Sequence, residues 1–158
     1  MGFFDKVKSM VNTVTGGAAK VSVAAPEASL TKPFRVDVMA RSTGAKVKYE
    51  KVYVYLRGVE RVSIPDAEVS VPDANGASRT GKQTVSASGH TLELTFQAAG
   101  PGEIDAGAEA AWSVEVTLPA TAVPEFRGKF TEHFYEVYAG LDCFGNDPDS
   151  GWVRIQLS

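Results

Sequence analysis

The stretch Trp112-Ser-Val-Glu-Val-Thr-Leu-Pro119, then Pro124, Phe126 and Gly128, then Tyr135-Glu-Val-Tyr-Ala-Gly-Leu141, decides how this chain folds. Trp112, Val114, Val116 and Leu118 alternate with polar residues, and Tyr135, Val137, Ala139 and Leu141 repeat the spacing. Period-two spacing puts each apolar set on one face of an extended strand. Pro119 and Pro124 lack the backbone donor a sheet ladder needs, so they mark the connection between strands. The segment predicts two half-buried strands joined by a proline-punctuated loop, as in a β-sandwich.

The same grammar extends outward. Lys20 to Ala24 predicts a first strand ending at Pro26. Phe34, Val36, Val38 and Ala40 face one way, and Arg35, Asp37, Met39 and Arg41 the other. After Ser42-Thr43-Gly44, one long strand is expected from Lys46 to Ile64. Its apolar set changes parity between Val47 and Tyr49 on one side of the slip and Val52, Val54 and Leu56 on the other. Such a slip predicts a bulge near Glu50 and Lys51. Residues 65–81 are rich in Pro, Asp, Asn, Gly and Ser, with Pro72-Asp-Ala-Asn-Gly76 as the clearest turn, and read as a long exposed loop with a short edge strand at Glu68 to Val71. A hairpin around Gly89-His90 is expected from Lys82 to Ser88 and Thr91 to Ala98, with Leu92, Leu94 and Phe96 inward. Gly100 to Gly107 reads as a second loop and Gly145 to Gly151 as a tight turn, before Val153, Ile155 and Leu157 close the chain.

Roughly eight short strands predict an all-β, immunoglobulin-like antiparallel sandwich. Residues 3–15 are the exception. Phe3, Val7, Met10, Val11 and Val14 form one helical stripe, Phe4 widens it, and Gly16-Gly17 stop it. The expected organisation is a short N-terminal amphipathic helix over 1–17 and a sandwich over 18–158.

Bulk properties narrow the function. The chain has 158 residues, enough for one domain with a real core, and a formal net charge of −3. That balance argues against a nucleic-acid partner, which usually meets a strong basic excess. A single cysteine, Cys143, permits no internal disulfide. No apolar run reaches the roughly 18 residues of a membrane span, and Asp5, Lys6 and Lys8 interrupt any secretory signal. A cytoplasmic location is expected.

With these residues in hand, the chain resembles the arrestin N-terminal domain. The resemblance rests on Leu118-Pro119, Pro124, Phe126 and Gly128, followed by the alternation of Tyr135, Val137, Ala139 and Leu141. Its opening Phe3-Phe4 helix and Gly17-Ala-Ala-Lys20-Val21 lead-in are similar to the bacterial sporulation-control arrestin-like proteins. The resemblance implies a sandwich that scaffolds or regulates other proteins without chemistry. Those families carry two sandwiches in tandem and this chain has length for one, so a homodimer is the expected substitute. The charged phosphate-sensing core of visual-type arrestins maps onto no particular residues here.

Each candidate constellation has a plainer structural reading. The stripe of Phe3, Phe4, Val7, Met10 and Val11 suits a membrane surface or a partner groove, but packing on its own sandwich is favoured. Lys6 stands where a myristoylation pattern wants Ser or Thr. Asp142, Asn146, Asp147 and Asp149 surround one turn with oxygen ligands, yet Pro148 and Ser150 break the calcium-loop spacing. His90 and His133 are the only histidines. No Gly-x-Ser-x-Gly elbow accompanies them, and Cys143 is expected to lie out of reach of His133. Gly16-Gly17 and Gly100-x-Gly102 lack phosphate-loop spacing. No catalytic residue, metal or cofactor is therefore assigned.

Tyr53, Tyr55, Phe134 and Tyr138 sit out of phase with the inward sets of their strands. If those strands are neighbours, an exposed aromatic face results, and such faces mark interfaces. The sequence thus points to a non-catalytic protein-interaction or regulatory module in a bacterial cytoplasm. A carbohydrate- or calcium-binding module built on the Asp147 turn and Trp152 is the alternative.

Overall fold

The computed structural model describes residues 18–158, and the regular structure among them is entirely extended. The predicted helix, with Phe3, Phe4, Val7, Met10 and Val11, lies outside the described residues. The strands are β1 (Ala19–Ala24), β2 (Phe34–Ser42), β3 (Val47–Tyr49), β4 (Lys51–Pro72) and β5 (Ser78–Ala99). They continue as β6 (Gly102–Ile104), β7 (Glu109–Val116), β8 (Phe126–Arg127), β9 (Thr131–Asp142) and β10 (Val153–Ile155). β1, β2 and β7 make a small antiparallel sheet. The larger sheet runs β10-β9-β4-β5, with β8 following β10 along the same edge of β9. β3 and β6 form a separate ribbon.

The core lies between the two main sheets. Val21, Val23, Phe34, Val36, Val38 and Val116 from the small sheet meet Val52, Val54, Leu56, Tyr135, Val137 and Leu141 from the large one. Each such side chain buried contributes about 1.5–3 kcal/mol, so the alternation read from the sequence supplies the main driving force.

The two runs that opened the reading are strands of different sheets: β7 pairs β2, and β9 pairs β4. The proline segment between them crosses from one layer to the other. A turn starts it, with Ala122 N donating to Pro119 O at 2.9 Å. Its far end is fastened from β9, where Tyr135 Oη donates to Val123 O at 2.8 Å and His133 Nδ1 to Pro124 O at 3.1 Å.

Four expectations are corrected. Gly102–Ile104, inside the stretch read as a second loop, is strand β6 paired with β3. The parity slip near Glu50 is a change of sheet rather than a bulge in one strand. β3 pairs β6, β4 pairs β5 and β9, and Glu50 N donates across to Asp142 O at 2.8 Å. Residues 65–81 are not one long loop, because β4 and β5 are each 22 residues long and pair as far as Pro72 opposite Ser78. The strand expected at Glu68 to Val71 is the end of β4, and the Pro72–Gly76 turn is where the sequence put it. The hairpin turn sits at Asp73–Ala77, where Asp73 Oδ1 accepts from the amides of Asn75 and Ala77 and Gly76 takes φ +81°. Gly89-His90 therefore lies inside β5. There the one extra residue, Thr91, is absorbed as a bulge opposite Gly58 and Val59, so pairing continues where composition suggested a turn.

Tyrosines recur opposite glycines. Tyr49 faces Gly102, Tyr53 faces Gly140 and Tyr135 faces Gly58. At Gly102 and Gly140 a methyl would run into the tyrosine ring; at Gly58 it would meet the Thr91 hydroxyl first and crowd the Tyr135 and His133 rings. The bare backbone lets a large ring lie flat across the neighbouring strand, restoring packing that a strand glycine normally forfeits. Gly140→Ala should therefore overpack the site and cost about 1–3 kcal/mol, read as a lower chemical-denaturation midpoint with an unchanged slope.

Candidate interaction surface

The unbroken register of β4 against β9 places Tyr55 opposite Tyr138, Arg57 opposite Glu136, Val59 opposite Phe134 and Arg61 opposite Glu132. All of these point away from the core. Tyr53, Tyr55 and Tyr138 form one cluster, with ring centroids 5.1–6.3 Å apart. Trp152, just before β10, extends it with a centroid 5.3 Å from Tyr138. Tyr53 is buried against Gly140 while Tyr55 remains 37% exposed.

Alternation in the sequence puts the three tyrosines on the outer sides of their strands, but no local pattern marks Arg57. Its guanidinium lies 3.7 Å from the centre of the Trp152 ring and pairs with Glu136 at 2.8 Å. Arg57 also meets His90 Nε2 at 3.3 Å, and His90 Nδ1 meets Glu93 at 2.9 Å. Since arginine only donates, Nε2 accepts and the imidazole proton sits on Nδ1, directed at Glu93. Tyr55, Arg57, Glu93, Thr95 and Trp152 border a shallow hollow of about 340 Å³.

Phe134 shares the outer face but not the cluster. It is buried beneath the guanidiniums of Arg61 and Arg154, at 5.2 and 4.1 Å, and both arginines pair with Glu132. Parity in the sequence placed Phe134 correctly. Its cover comes from strands far away in sequence, which no local pattern encodes.

The groups weighed for chemistry are engaged elsewhere. His133 is buried, donating from Nδ1 to Pro124 O, with Nε2 accepting from Thr91 Oγ1 at 2.6 Å. Cys143 lies beyond the opposite end of β9 from His133. Burial pushes its thiol upward, with Asp147 and Asp142 adding to the effect, so the reactive thiolate is disfavoured. Asp147 Oδ1 accepts from Cys143 N at 2.9 Å and Asp149 Oδ1 from Gly151 N at 2.8 Å. These carboxylates shape their own turn. Among the described residues no helix is long and apolar enough to cross a membrane.

No protein-family model matches the chain, and no curated protein matches its sequence. Solved structures do. Spo0M, a sporulation control protein from Bacillus subtilis, superposes on 90% of this chain with a TM-score of 0.58 at 18% identity. The fold is the arrestin-like sandwich. This chain spans 50% of the Spo0M chain. Lower similarities include a family 123 glycoside hydrolase from Clostridium perfringens, with a TM-score of 0.43 at 7% identity over 89% of this chain and 28% of that one. Another is the alkylpurine DNA glycosylase AlkC from Pseudomonas fluorescens, with a TM-score of 0.37 at 14% identity over 89% and 31%.

Burial, with Asp147 nearby, pushes the Tyr53 phenol from an ordinary 10.0 up to about 12. Burial, with the Asp149 carboxylate next, also pushes Tyr138 up. The folded state thus favours neutral phenols. That contribution to stability is complete below the unfolded pKa and is lost as pH rises through the folded one. Melting temperature should fall between pH 10 and about 12, and Tyr53→Phe should flatten that fall in an alkaline series of thermal melts.

Proposed function

We propose that this chain is a non-catalytic, regulatory interaction module of the arrestin-like type, acting in a bacterial cytoplasm through the outer face of its large sheet. The observation that carries the proposal is the contiguous cluster of Tyr53, Tyr55, Tyr138 and Trp152 with Arg57 at its border. Aromatic residues and arginine are the side chains that most often anchor protein interfaces. Here the tyrosines and Arg57 stand on paired strands and Trp152 is held against Arg57 and Tyr138, so little ordering entropy opposes binding. The fold shared with Spo0M, a sporulation control protein, supports a regulatory role. The engagement of both ring nitrogens of His133 and the raised Cys143 thiol support a role without chemistry.

The carbohydrate or calcium alternative draws less support. Arg57 already occupies one face of the Trp152 ring, and Asp147 and Asp149 already accept from backbone amides of their own turn.

Paired affinity captures from bacterial lysate, with wild type and with Tyr55→Ser/Trp152→Ser as baits, test the proposal. Proteins retained by wild type should drop out of the variant capture while the variant's β-rich circular dichroism persists. An identical captured set from both baits would count against this face. A rise in melting temperature with calcium would revive the alternative, since a ligand of the native state must stabilise it.

A further inference from the structure

β9 stops at Thr131, opposite Val62, but β4 and β5 continue together to the Asp73–Ala77 turn. They form a two-stranded arm. Its register sets Val62 beside Ala87, Ile64 beside Val85, Ala67 beside Gln83, Val69 beside Gly81 and Val71 beside Arg79 on one side. The other side carries Ser63 with Ser86, Glu68 with Lys82, and Ser70 with Thr80. The one-residue irregularity between Ile64 and Ala67, with Asp66 at φ +52°, keeps the two sides sorted. The arm is amphipathic.

Its apolar side is bare. Ile64 is 37% exposed, Val85 41% and Val71 55%. A lone two-stranded ribbon is at best marginally stable in water, so a layer over this side would supply what the arm lacks. The side continues the core-facing surface of the large sheet, from Gly58 opposite Tyr135 through Glu60 and Val62. The covering layer must therefore approach from the same side as the small sheet, opposite the aromatic cluster.

Charge identifies the layer. Glu60 lies at the base of this side and Arg79 near its tip, roughly 30 Å away at about 3.3 Å per residue. Neither makes an ion pair among the described residues. A second arm laid antiparallel and face to face brings each Arg79 over the partner's Glu60. The same overlay places one row of valine and isoleucine on the other. We propose that the arm is a homodimerisation device, packing its apolar side against the same side of the arm of a second copy about a two-fold axis.

Sedimentation velocity and light scattering across a concentration series test this. Wild type should dimerise reversibly. Val69→Lys/Val71→Lys should weaken the dimer by more than about tenfold, whereas Ser70→Lys on the polar side should leave it intact. Arg79→Glu and Glu60→Arg should each weaken association, and the double reversal should recover it, because only facing charges are rescued by exchange. Both charged residues are exposed, so these variants keep the test decisive if the lysine pair fails to fold. A wild type that stays monomeric at every concentration would overturn the proposal. So would a dimer insensitive to the lysine pair, or one that the double reversal does not restore.

Discussion

The pairing of β4 with β9 is the contact on which the rest of the molecule depends. It runs without a shift from Lys51 opposite Asp142 to Val62 opposite Thr131. One face of that ladder supplies Val52, Val54, Leu56, Tyr135, Val137 and Leu141 to the core. The other gathers Tyr55 with Tyr138 and Arg57 with Glu136. A slip of one residue would exchange the faces, burying the arginines and exposing the core. The tyrosine–glycine pairs resist that slip. Tyr53 lies over Gly140 and Tyr135 stands beside Gly58, and any other register would set a side chain against each ring.

Around this ladder, polar groups hold the connections. Tyr135 and His133, both on β9, tie down the segment that crosses between layers, and Thr91 completes the buried imidazole's bonding. Leaving a buried ring nitrogen unpaired would cost about 1–3 kcal/mol, so the three groups act as one structural unit. Thr91 reaches His133 only because it is the extra residue of the bulge in β5. An irregularity that looked like a turn in the sequence is thus a device for aiming a hydroxyl inward.

On the outer face, charge and aromatic area are interleaved rather than separated. Arg57 covers Trp152, Arg61 and Arg154 cover Phe134, and Glu132 and Glu136 neutralise all three. Partial desolvation strengthens such cation–π contacts and keeps each arginine in a fixed pose. The tyrosine end of the cluster has no such cover, since Tyr55 opens to solvent. That contrast leaves the tyrosine end as the more accessible part of the aromatic face.

Alternation and the spacing of short strands determined that the chain is a sandwich, which residues of β2, β4 and β9 face inward, and that Tyr53, Tyr55 and Tyr138 each lie on the outer side of its own strand. The pairing of β4 with β9 made those sides one face. Side-chain direction in a strand is a local property with period two, so it can be read without knowing the partner strand. Tertiary structure decided the rest: that the two opening runs lie in different sheets, and that Glu50 marks a change of sheet. It also made Gly89-His90 part of a strand, and put Phe134 beneath two arginines. These depend on which strands pair and at what register, a choice made by contacts distant in sequence. The hairpin shows the limit most clearly. Asp73 to Gly76 and Gly89-His90 carry similar turn residues, and only the opposing strand, pairing continuously past Gly89, determines which of them bends the chain.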